Sequence, residues 1–120
     1  MMEDLLKTDE LVANLAKRLE TAQAKEVVAL DIREQCPWTD YFVIATYNSQ
    51  GHLRGLLNEL EEFSKENGLT GTAKPKKSES NDWMLIDWDD MVIHLFSKES
   101  RDFYELEKLW FQSKRIYQSS

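Results

Sequence analysis

A chain of 120 residues, 42% apolar and 31% charged, is long enough for a single hydrophobic core but not for a separate substrate-binding domain. Its net charge of −7 argues against a protein that coats nucleic acid, because phosphate binding relies on clustered Lys and Arg. The apolar runs are too short to cross a bilayer, Met-Met-Glu-Asp lacks the basic start of a secretory signal, and a lone Cys36 allows neither an internal disulfide nor a cysteine-based zinc site.

Residues 8–24 repeat Leu11, Leu15, Leu19 and Ala22 at helical spacing, with Thr8 or Asp9 placed to accept the free N–H groups at the start, so an amphipathic helix is expected there. EVVALDI (26–32) and DYFVIAT (40–46) are short, β-branched and almost wholly apolar, the pattern of strands covered on both faces. Ser49 then caps a second helix whose stripe is Leu53, Leu56, Leu57, Leu60 and Phe63, closed by Asn67 and a left-handed Gly68. A poor edge strand is expected around 69–75, where Pro75 and the run Lys74, Lys76, Lys77 interrupt it; a solvated loop is the plain reading of KPKK.

WMLIDW and MVIHLF read as a hairpin turning at Asp89-Asp90, with Ile86 opposite Ile93, Leu85 opposite His94 and Trp83 opposite Phe96. One face then carries Met84, Ile86, Trp88, Met91, Ile93 and Leu95. The other carries Trp83, Leu85, Asp87, Val92, His94 and Phe96, which makes Asp87 and His94 diagonal neighbours roughly 7–8 Å apart at the backbone. From Glu99 a last helix is expected, with Phe103, Leu106 and Trp110 as its core stripe, Tyr104 and Phe111 beside it, and Glu107 in its midst needing a partner such as Arg101 or Lys114. The expected architecture is a single α/β domain over 1–120, a small mixed sheet packed by helices, with 112–120 as a flexible tail.

The combination Trp83-x-Leu85-x-Asp87, Val92-x-His94-x-Phe96 and Arg101-x-Phe103-Tyr104-x-Leu106-Glu107-x-Leu109-Trp110 resembles the bacterial ribosomal silencing factor (RsfS, Iojap) family. Asp31, the run Asp40 to Ile44 and Ser49 extend the likeness to nearly the whole chain. Tyr47, the run KKSESND and Asp90 stand where the family commonly has glycine or an acidic-glycine pair, departures that fall in loops.

The resemblance implies a nucleotidyltransferase-like fold without its chemistry, no cofactor and no metal. It implies a protein that binds large-subunit ribosomal protein fourteen and blocks joining of the small subunit, lowering translation when nutrients are short; a cytoplasmic location is expected from the lone Cys36, which fits a reducing compartment. Trp83, Asp87, His94, Arg101 and Tyr104 are the expected partner-binding residues: Asp87, His94 and Arg101 as a polar cluster, Trp83 and Tyr104 at its rim touching the partner. A homodimer and a minor rRNA contact through Lys74, Lys76 and Lys77 are further expectations.

The rival class is an enzyme. Asp87-Trp88-Asp89 is an acid-x-acid pattern that on a strand aims two carboxylates to one face, as Mg²⁺-dependent nucleotidyl transfer requires. Asp89 falls in the expected turn, however, and no glycine-rich phosphate loop accompanies it. Asp87 orienting His94 as a base for Ser49 or Cys36 is a second route, which lacks an oxyanion motif or nucleophile elbow. Neither carries the chemistry as well as partner binding does.

Overall fold

The computed structural model describes residues 2–34, 39–69, 72–75, 83–88, 91–99 and 114–118. In chain order they form α1 (Met2–Thr21), β1 (Lys25–Asp31), β2 (Tyr41–Tyr47), α2 (Gln50–Glu66), β3 (Thr72–Pro75), β4 (Trp83–Asp87), β5 (Met91–Ser97) and β6 (Lys114–Gln118). The last expected helix, with Arg101, Tyr104, Glu107 and Trp110, lies outside the described residues, as do Cys36, Lys76, Lys77 and Asp89.

The first helix starts earlier than its apolar spacing suggests, at Met2, so positions 8 and 9 are helix interior rather than cap. Leu and Glu among the first residues are good helix formers and extend it. It ends in a Schellman turn: Gln23 takes φ 71°, Gln23 N–H donates to Glu20 O and Ala24 N–H to Leu19 O. The second helix begins and ends where its sequence signals lie. Ser49 Oγ accepts from His52 N at 3.0 Å, and Gly68 at φ 64° lets Leu69 N–H reach Ser64 O. An added side chain at Gly68 meets no atom but is strained by that backbone angle.

The strands make one six-stranded sheet in the order β3-β4-β5-β2-β1-β6, parallel only between β2 and β5. The hairpin register matches expectation, with Trp83 opposite Phe96, Leu85 opposite His94 and Asp87 opposite Val92. Both central strands are buried from end to end except at Ser97, as their apolar runs demand, and Tyr47, expected in a loop, is instead the buried last residue of β2. Residues 114–118, expected within a flexible tail, are instead the edge strand β6, antiparallel to β1. Lys114 and Arg115 point to water, while Ile116 and Tyr117 pack on the core and Tyr117 Oη donates to Glu20. A five-residue polar strand has too little apolar content to announce itself; the ladder offered by β1 supplies what its side chains lack.

Both helices lie on one face. Val12, Leu15 and Leu19 of α1 and Leu53, Leu56, Leu60 and Phe63 of α2 bury against Val27, Ala29, Val43, Ala45, Ile93 and Leu95. Each fully buried aliphatic side chain contributes about 1.5–3 kcal/mol relative to exposure. Arg18 ties the helices together, reaching Glu59 at 2.8 Å, Glu66 at 2.6 Å and Glu62 at 3.3 Å with its guanidinium over the Phe63 ring. The opposite face buries Val28, Leu30, Ile32, Phe42, Ile44, Val92 and Phe96, with Trp83 and Leu85 half-buried at its margin.

Candidate protein-interaction surface

On β4, alternation sends Trp83, Leu85 and Asp87 to the same face of the sheet, and none of the three is fully buried. An aromatic, an aliphatic and an acid therefore follow one another along a strand beside the sheet's outer margin. β5 fixes their setting from beneath. His94 is only 4% exposed, and its ring sits among three aromatics: edge-on to Phe42 at 4.7 Å, tilted to Trp83 at 5.8 Å and stacked with Phe96 at 6.2 Å. Trp83 stacks on Phe96 at 5.1 Å, and its indole N–H donates to His94 Nδ1 at 3.1 Å. The indole thus has a held inner face and an outer part open to solvent.

Among the expected site residues, Trp83 and His94 are brought into contact, whereas Asp87 is exposed at the far end of β4. The hydrogen bond at Nδ1 comes from the diagonal neighbour on the Trp83 side rather than the Asp87 side. Of the two, His94 is buried and Trp83 is the one that reaches the surface. Arg101 and Tyr104 lie outside the described residues, and Lys74 stands in the edge strand β3. Sequence reasoning placed Phe42 in the run Asp40 to Ile44 but not among the site residues. It joins the group only through the parallel β2–β5 register, which sets Phe42 opposite Val92 and Ile44 opposite His94.

A second polar group escaped the sequence reading. Arg33 Nε and its backbone N–H both reach Asp31 Oδ1, at 3.0 and 3.1 Å, its other nitrogen reaches Oδ2 at 2.5 Å, and the guanidinium lies over Tyr41, whose hydroxyl donates to Asp9. Hydrogen bonding from Arg33 holds the Asp31 carboxyl below the usual carboxylate range, while burial and the Asp9 carboxylate push the Tyr41 phenol well above its own. A carboxylate depressed in the folded state stabilises the fold above its unfolded value near pH 4, and that contribution drains away as pH falls through the folded value. Arg33→Gln should therefore lower stability at pH 7 and converge with the wild type in strong acid. Chemical denaturation across pH tests this; a constant gap down to pH 2 would contradict it.

A cavity of about 720 Å³ lies at the carboxyl ends of the two parallel strands, lined by Thr46, Tyr47, Ser49, Ser97, Lys98 and Glu99, among others. Asp87 pairs with Val92, five residues before Ser97, so Asp87 is about 17 Å away at the opposite end of the sheet. Among the described residues no group of three or more His, Cys, Asp or Glu is placed to hold a metal ion, and no helix is long and apolar enough to cross a membrane.

With this geometry in view, comparison with known proteins decides the family. The model described as "Ribosomal silencing factor during starvation" matches residues 6–120. The chain belongs to the ribosomal silencing factor (RsfS) family. It is 36% identical over 91 residues to the ribosomal silencing factor of Bacillus subtilis, covering 73% of this chain and 74% of that one. It is 31% identical over 105 residues to that of Halalkalibacterium halodurans, covering 88% and 89%. A crystal structure of a protein from Chromobacterium violaceum superposes with a TM-score of 0.71 at 29% identity over 82% of both chains. The α/β sheet with packed helices is thus the family's fold, and translation regulation in association with the ribosome follows from membership.

Proposed function

We propose that this silencing factor acts without catalysis in the cytoplasm: it binds large-subunit ribosomal protein fourteen on the subunit-joining face and excludes the small subunit by bulk, repressing translation when nutrients are limiting. The observation that carries the reading is the half-exposed Trp83, held from below by Phe96 and His94 on an acidic protein. A rigid aromatic on a strand offers large contact area at low ordering cost, and the surplus negative charge suits a basic ribosomal protein by steering encounter. Asp87 at the end of the same strand supplies a rim charge. Tyr104 and Arg101 complete the proposed contact, Lys74 with its neighbours adds a minor rRNA contact, and a homodimer would share the surface with the ribosome. Nucleotidyl transfer gains nothing from the geometry, because Asp87 stands apart from the cavity.

A sucrose gradient tests the reading directly. Purified protein added to separated subunits should keep them apart and travel with the large one. Migration with the small subunit alone, or undiminished formation of joined ribosomes, would sink it.

A further inference from the structure

We propose that His94 is a positioning residue for Trp83: its Nδ1 fixes the indole in the orientation a partner meets, an inference that rests on Trp83 being the anchor suggested above. Three observations support it. The indole N–H is a donor only, so at 3.1 Å Nδ1 accepts, and the imidazole is neutral while that bond lasts. The ring of His94 is buried and packed by Phe42 and Phe96, so it is a fixed post rather than a surface group. Stacking on Phe96 sets the indole's plane at 26° to the phenyl ring but does not select which edge turns outward; a hydrogen bond at one edge does.

The consequence is energetic preorganisation. The second side-chain torsion of Trp has a broad, roughly two-fold preference, so a partly exposed indole without an anchored edge samples more than one orientation. Binding then has to order it, and affinity falls. Leu85, which pairs with His94 across the ladder, has no polar atom to offer the indole, and Asp87 lies four residues from Trp83 on the strand. His94 thus acts on the partner through Trp83 while remaining out of reach itself.

The test uses the full chain and purified large ribosomal subunits. His94→Phe keeps an aromatic ring and removes the acceptor; His94→Asn offers an amide oxygen near the position of Nδ1; His94→Leu repeats the first comparison if the phenyl ring does not fit. In His94→Phe the indole N–H resonance in a proton–nitrogen correlation spectrum should move upfield, and affinity for the large subunit should fall about 3- to 10-fold, the scale of one lost hydrogen bond. His94→Asn should restore both towards wild type, which a purely space-filling role for the ring does not predict. An unmoved indole resonance in His94→Phe and His94→Leu overturns the proposal, as does a moved resonance with unchanged affinity while Trp83→Ala binds weakly. If Trp83→Ala itself binds like wild type, the interface reading has failed instead, and positioning for a partner falls with it.

Discussion

Trp83→Ala is expected to weaken binding to the large ribosomal subunit at least tenfold while leaving the domain folded. Tenfold corresponds to about 1.4 kcal/mol, the lower range for an interface hot spot, and tryptophan is among the residues most often found in that role. The stability cost is bounded by the ring's position. Trp83 is half-buried, lies at the margin of the second core, and on truncation loses its ring contacts with Phe96 and His94 and the hydrogen bond to Nδ1. We expect the melting temperature to fall by less than about 10 °C, given the size of such aromatic contacts and the usual dependence for a domain of this length. Affinity measured by co-sedimentation, beside a thermal melt, separates the two effects. Unchanged affinity moves the interface away from β4, to the edge strands or to the face of α2.

Ile93→Ala should do the reverse, destabilising the protein severely without touching any partner. Ile93 is fully buried in β5, paired with Val43 on one side and Ile86 on the other, in the core cluster beneath the helices. Removing its branched side chain leaves a void in the middle of the sheet that neighbouring strands cannot close without breaking their ladders. The cost is about 2–5 kcal/mol out of a net stability of roughly 5–15 kcal/mol. A drop in melting temperature of at least about 10 °C is expected. Loss of ribosome binding in this variant at 37 °C would report unfolding, so binding should be recovered on cooling. A melt within about 3 °C of wild type would show that residue 93 does not sit at the centre of the core.

How much was legible beforehand follows from the range of each interaction. The alternation in WMLID and MVIHLF reports which side of a pleat each residue occupies, so the hairpin register and its two faces could be read directly and match the observed pairing. The stripe of α2, its Ser49 cap and its Gly68 stop are equally local, since each depends on residues within a turn of one another. The combined motifs in Trp83–Asp87 and Val92–Phe96, together with those further along the chain, were enough to point to the family whose model covers residues 6–120.

Contacts between distant segments were decided by the tertiary structure alone. Phe42 meets His94 because β2 and β5, separated by α2, β3 and β4, lie parallel at the centre of the sheet, and no short-range pattern encodes which strands become neighbours. The polar strand Lys114–Gln118 exists because β1 presents a free ladder to it; alone, the segment reads as tail. Asp9, placed as a helix cap by local reasoning, instead takes the hydroxyl of Tyr41 from another element. His94 had acceptable neighbours on both sides in the sequence, Asp87 and Trp83. The indole N–H of Trp83, stacked on Phe96, reaches His94 Nδ1, while Asp87 lies exposed at the far end of β4.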